Sequence, residues 1–127
     1  MKPLFISEKT STPKVILDIE NERFEISGNS LPENAMDFYN PIIEWIVEYI
    51  RHPNLITEIN LRFNYFSSSS WKILLDILTM LEEIIKNGKS VNVNWHYLEM
   101  DQDMFETGRE FESLLKLPFN FVPFLQF

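Results

Sequence analysis

Cysteine is absent from the sequence, and glycine occurs only at positions 28, 88 and 108. The first absence excludes a disulfide framework, a thiolate zinc site and a cysteine nucleophile. The second leaves no phosphate-cradling loop, and neither a GxGxxG string nor a P-loop occurs. Histidine appears only as His52 and His96, with no HxxxH pairing that would hold a metal. No segment approaches the ~20 apolar residues of a membrane-spanning helix. The apolar run Leu4-Phe5-Ile6 is too short for a secretory signal. Positive charge is also scarce: 11 Lys+Arg against 19 Asp+Glu leave a net charge of −8. Such a chain repels phosphate backbones and anionic lipid, so neither nucleic acid nor a membrane is an expected partner. No cofactor is expected, and the expected location is cytoplasmic.

A hydrophobic share of 45% over 127 residues suffices for one domain spanning 1–127, with residues 1–12 as a polar lead-in. The chain is organised around Asn64-Tyr65-Phe66-Ser67-Ser68-Ser69-Ser70-Trp71-Lys72. Upstream, Leu55, Thr57, Ile59, Leu61, Phe63 and Tyr65 alternate with polar residues, the period of a half-buried strand. Downstream, Leu74, Ile77, Leu78, Leu81, Ile84 and Ile85 form one helical stripe. Val15 to Ile19 and Arg23 to Ser27 read as a strand pair, and Val91, Val93, Trp95 and Tyr97 as a further strand. Leu117 to Val122 gives a last short one. Between them, a helix is predicted after a capping box at Ser30-Leu31-Pro32-Glu33 or a second start at Asn34, and another over Phe105 to Leu115. This order predicts an α/β (α+β) fold: a mixed four- to five-stranded sheet with helices on one face and a polar opposite face.

The four serines fall where strand becomes helix. A hydroxyl there can accept from the unpaired N–H groups of the first turn, and the same N–H groups and helix dipole favour a phosphate. One serine suffices for the cap, and serine runs are also ordinary loop filler, so cap, loop and phosphorylation site all stay open. Phe66 and Trp71 bracket the run, either as interface anchors or as packing beneath the helix start. Enzyme signals are weak: no GxSxG elbow surrounds a serine, and Glu82-Glu83 and Asp101/Asp103 read as solvated pairs. A small serine hydrolase is the reading from a different class, and a structural homo-oligomer built on the open sheet face a third.

Three stretches resemble the SiaC family of regulatory phosphoproteins, related in architecture to STAS-type anti-sigma factor antagonists. They are Thr12-Pro13-Lys14-Val15-Ile16-Leu17-Asp18; Ile26-Ser27-Gly28-Asn29-Ser30-Leu31-Pro32-Glu33-Asn34 with Phe38-Tyr39-x-Pro41; and Asn64 to Ser70 followed by x-Lys72-x-Leu74-Leu75-Asp76. Leu117-Pro118-Phe119 also fits. The resemblance implies a STAS-like sheet and a non-catalytic phosphorylation switch. The switch residue of the family's Asn-Thr-Ser-Ser pattern carries over to Ser68, with Ser67, Ser69 and Ser70 as neighbours and Ser67 standing where the pattern has Asn. Phe66, Trp71, Lys72, Pro32, Glu33 and Asn34 are the implied partner-binding residues. The implied partners are a serine/threonine kinase, a PP2C-like phosphatase and a target. For the SiaC type the target is a diguanylate cyclase, bound and activated by the unphosphorylated form. For STAS relatives it is an anti-sigma kinase.

Overall fold

A computed structural model describes residues 1–125. Its elements run β1 (Leu4–Ile6), β2 (Lys14–Asp18), β3 (Arg23–Ser30), α1 (Ala35–Tyr49), β4 (Ile56–Phe66), α2 (Ser68–Lys86), β5 (Ser90–Leu98), α3 (Gln102–Leu114) and β6 (Phe119–Phe124). The strands lie in sequence order in one six-stranded sheet. β1, β2 and β3 pair antiparallel, and β3, β4, β5 and β6 pair parallel. The sheet thus has six strands where four to five were expected. The extra one is β1: the stretch expected as a lead-in places Leu4 opposite Leu17 and Ile6 opposite Val15. Trp45 Nε1 also donates to the Lys2 carbonyl at 2.9 Å, tying the N-terminal segment to α1.

Each parallel connection is a helix, and alternation in the strands decides where those helices pack. Ile59, Leu61, Phe63, Val91, Val93 and Trp95 are buried with Tyr39, Ile42, Ile46, Leu74, Ile77, Leu78 and Phe111 in one core. Asn60, Arg62, Asn94 and His96 alternate with the buried strand residues and are only half-buried. The helix-free face is therefore polar. Asn120 Nδ2 donates to Asn94 Oδ1 at 3.1 Å, and Asn94 Nδ2 to Asn60 Oδ1 at 3.2 Å, a ladder made possible by in-register parallel pairing.

Of the two starts offered for α1 the structure takes the second, and β4 differs from the sequence expectation at both ends. Asn34, not Ser30, caps α1: its side chain accepts from Asp37 N at 3.1 Å, while Ser30 is fully buried at the end of β3. Leu55 and Tyr65, expected on the buried face of β4, are 76% and 64% exposed. Leu55 precedes the strand. Tyr65 follows a register shift, because Gly28 pairs with Phe63 and the next residue, Asn29, pairs with Tyr65, leaving Asn64 as an extra residue. The bulge reverses the alternation, so Tyr65 turns outward and Phe66 packs against the core. Gly28 stands opposite the bulge with φ +122, a conformation that disfavours any Cβ.

Candidate functional site

Because β3, β4 and β5 are parallel and each feeds a helix, the starts of α1, α2 and α3 all lie at the carboxyl end of the sheet. The first turns of α1 and α3 carry Asp37 and Asp103, whereas α2 has no acidic residue in its first turn. Its dipole is left to the serines.

The four serines are not equivalent. Ser67 is the N-cap of α2, its Oγ accepting from Ser70 N at 3.2 Å. Ser70 is 1% exposed; its Oγ donates to the Ser30 carbonyl at 3.1 Å. It also accepts from Ser30 Oγ at 2.9 Å and Ser67 Oγ at 3.0 Å. Ser30 Oγ, having spent its proton on Ser70, accepts from Tyr39 OH at 2.6 Å. Burial pushes the Tyr39 phenol above its usual range, the two serine bonds opposing that shift, and it stays a donor. Ser69 is exposed and its hydroxyl lies 3.2 Å from Ser67 Oγ. Ser68, the first residue of α2, is exposed, and its hydroxyl has no hydrogen-bond partner among the described residues.

Ser68 stands in the wall of a groove of about 550 Å³ between the β4–α2 junction and α3. Tyr65, Phe66, Ser67 and Trp71 share its wall, and Asp101, Asp103, Met104, Thr107 and Glu110 line the opposite one. Beneath it, Phe111 stacks on Trp71 (ring centroids 5.2 Å) and on Phe66 (6.4 Å), and Trp95 closes the cluster at 5.5 Å from Phe111. α3 can approach this closely because Gly108 faces Trp95: a Cβ there would lie 2.5 Å from Trp95 Nε1. Trp95 Nε1 donates to the Met104 carbonyl at 3.0 Å.

Of the residues singled out from sequence, Phe66, Ser67, Ser68 and Trp71 thus meet in one groove. Phe66 and Trp71 both pack under the helix start and line the groove. Lys72 is turned along α2, its Nζ 2.9 Å from Asp76. Pro32, Glu33 and Asn34 form the loop into α1, outside the groove; the bonds from Ser70 Oγ and Ser67 N to the Ser30 carbonyl bring the end of β3 against the start of α2. Tyr65 and the acidic wall of α3 were missed. The bulge that exposes Tyr65 has no signature in sequence, and Asp101/Asp103 resembled a solvated turn; in fact Asp101 caps α3 through Met104 N at 3.0 Å.

A second, smaller site of about 340 Å³ lies on the open sheet face among Lys14, Glu25, Ser27, Asn60, Arg62 and His96. Burial would raise the Glu25 carboxyl, but Lys14 at 2.9 Å, with Ser27 and Arg23, outweighs it and holds it below its usual range. Burial, reinforced by the Arg62 charge and opposed by Glu25, pushes His96 down. Its Nε2 lies 3.0 Å from Asn60 Oδ1, an acceptor, so the neutral ring carries its proton on Nε2.

No helix among the described residues is long and apolar enough to cross a membrane. Compared with known proteins, the chain is 32% identical over 119 residues to an uncharacterized protein of Pseudomonas aeruginosa (strain UCBPP-PA14), covering 94% of each. The crystal structure of apo-SiaC from Pseudomonas aeruginosa superposes with a TM-score of 0.87 at 31% identity, over 96% of this chain and 99% of that one. A chain of the crystal structure of the diguanylate cyclase SiaD in complex with its activator SiaC, from the same organism, superposes with a TM-score of 0.89 at 30% identity, over 95% and 99%. The model of the SiaC family regulatory phosphoproteins matches residues 6–124. With the family model and the solved relatives in agreement over nearly the whole chain, the chain belongs to the SiaC family of regulatory phosphoproteins.

Proposed function

We propose that this protein is a non-catalytic partner switch: unphosphorylated, it docks on a diguanylate cyclase and activates it, and a phosphate on Ser68 ends that contact. The observation that carries the assignment is the division of labour among the serines. Ser67 is committed to the cap, Ser70 is buried, and Ser69 leans on Ser67, whereas Ser68 is exposed, unbonded and set in the groove wall. The family's name for these proteins, and the relative described as the activator of a cyclase, support the same reading. A serine/threonine kinase adds the phosphate and a PP2C-like phosphatase removes it.

The effect on docking follows from charge and solvation. A phosphate brings about −1.5 to −2 charges at neutral pH. On Ser68 it stands beside Phe66, Tyr65 and Trp71, where an apolar side chain of the partner would otherwise sit. The open N–H groups of the α2 start tolerate the anion, so the fold persists while the hydrated charge denies the aromatic wall to the partner.

The test is cyclase activation by two variants. Ser68→Ala should bind and activate the cyclase of the same host as the unmodified protein does, and Ser68→Asp should weaken both. Equal activation by the two would refute the switch.

A further inference from the structure

The groove beside Ser68 has a chemistry of its own. Its titratable carboxylates, Asp101, Asp103 and Glu110, come from α3 and its N-cap, and among the described residues no Lys or Arg lines it. The two nearest cations in sequence are engaged elsewhere: Lys72 with Asp76 at 2.9 Å, and Arg109 with Glu112 at 3.0 Å and over the rings of Phe105 and Phe121. Asp101 spends an oxygen on its cap, but the carboxylates of Asp103 and Glu110 have no partner among the described residues. These two are seven residues apart on one helix, so about two turns or ~10 Å separates them along its axis. Met104 and the small Thr107 lie between them on the wall, across from Trp71 and the outward-turned Tyr65.

We propose that the groove seats an amphipathic helix of the partner, laid along α3. Its basic residues, two turns apart, face Asp103 and Glu110, and one large apolar side chain between them enters the space bounded by Tyr65, Trp71 and Met104. Charge complementarity selects a cationic segment over a neutral or acidic one. The groove between two walls, with an apolar middle, suits a helix face reading with anchors at helical spacing. The volume of about 550 Å³ admits one such side chain and its flanks. This inference rests on the groove being the docking face proposed above, and it adds which chemistry that face reads. It also divides the roles of the two walls: the α3 carboxylates attract, and the Ser68 wall, where the phosphate goes, receives the apolar anchor.

The test uses the full chain, isotope-labelled for NMR, and two helical peptides of Leu and Ala that differ only in carrying Lys or Glu at two positions two turns apart. The Lys peptide should shift amide signals within 64–71 and 101–110, and the Glu peptide should not. Asp103→Lys/Glu110→Lys should weaken the Lys peptide about tenfold or more, the sum of two surface charge reversals. The control Glu44→Lys/Glu48→Lys, on exposed α1 positions, changes net charge equally and should leave binding within about twofold. Well-dispersed spectra confirm that each variant is folded. Shifts spread over other acidic surfaces, equal binding of both peptides, or equal weakening by the α1 control would overturn the proposal. If the peptide seats in the groove while Ser68→Ala and Ser68→Asp activate the cyclase alike, the switch fails and the groove assignment stands. If the two variants differ but the peptide seats elsewhere, the groove assignment falls and the switch stands.

Discussion

Ser30 Oγ and Ser70 Oγ stand 2.9 Å apart across 40 residues of sequence, both buried, and join the end of β3 to the first turn of α2. The bond belongs to a chain of hydroxyls running from Ser67 through Ser70 and Ser30 to Tyr39 in α1. With the cap spent on Ser67, Ser68 stays unconstrained on rigid ground.

Removing Ser70 strands two donors, the buried Ser30 Oγ and the half-buried Ser67 Oγ. Ser70→Ala is therefore expected to cost about 1–3 kcal/mol, and Tyr39→Phe nearer 1 kcal/mol, in urea unfolding. Ser70→Ala combined with Ser30→Ala should cost less than the sum of the two, since the second change removes a group already unpaired.

Tyr65 and Phe66 are neighbours turned opposite ways, one to solvent and one to the core. Tyr65→Ala should leave stability within about 0.5 kcal/mol while weakening cyclase binding. Phe66→Ala, which empties a place against Phe63, Trp95 and Phe111, should lower stability by about 3 kcal/mol, the low end for a large aromatic because it is half-buried. Chemical denaturation and a binding titration separate the two. Matching losses of stability would mean that the bulge does not turn Tyr65 outward.

Gly108→Ala should force α3 away from Trp95 and disturb the Trp95–Met104 bond. The expected cost is about 1–3 kcal/mol from overpacking, with a change in tryptophan fluorescence.

His96 gives the sheet face a pH response. Its folded pKa lies below the ordinary value of 6.5, so the unfolded chain takes the proton first. Stability is accordingly unaffected by this group well above pH 6.5, falls as pH drops through that value, and stops falling below the folded pKa. His96→Gln should lose less stability than the unmodified protein between pH 7.5 and 5.5, measured by urea midpoints. An identical loss would mean His96 titrates alike in both states.

Much of this was legible in the residues. The three helices and the parallel order followed from periodicity, since each stripe and each alternation had to bury one face. The central junction was visible because period two changes to period 3.6 on either side of the serines. What escaped depended on contacts remote in sequence. β1 is three residues long and has no pattern apart from its pairing with β2. The capping box at Ser30 had the right spacing, yet pairing with Phe66 on β4 kept Ser30 in the sheet and left the cap to Asn34. The one-residue bulge at Asn64 is set by β3, so no alternation count along β4 could place Tyr65 and Phe66 correctly. Likewise the separate fates of four identical serines are fixed by Ser30 and Tyr39, which sequence proximity does not reveal.

The most direct measurement is peptide mapping by mass spectrometry of this protein after exposure to the kinase of its own host, in the unmodified chain and in Ser68→Ala. A single phosphoryl group on Ser68, absent from the variant and removable by the phosphatase, is the expected result. Phosphate on Ser67 or Ser70, or none anywhere between 67 and 70, would contradict it.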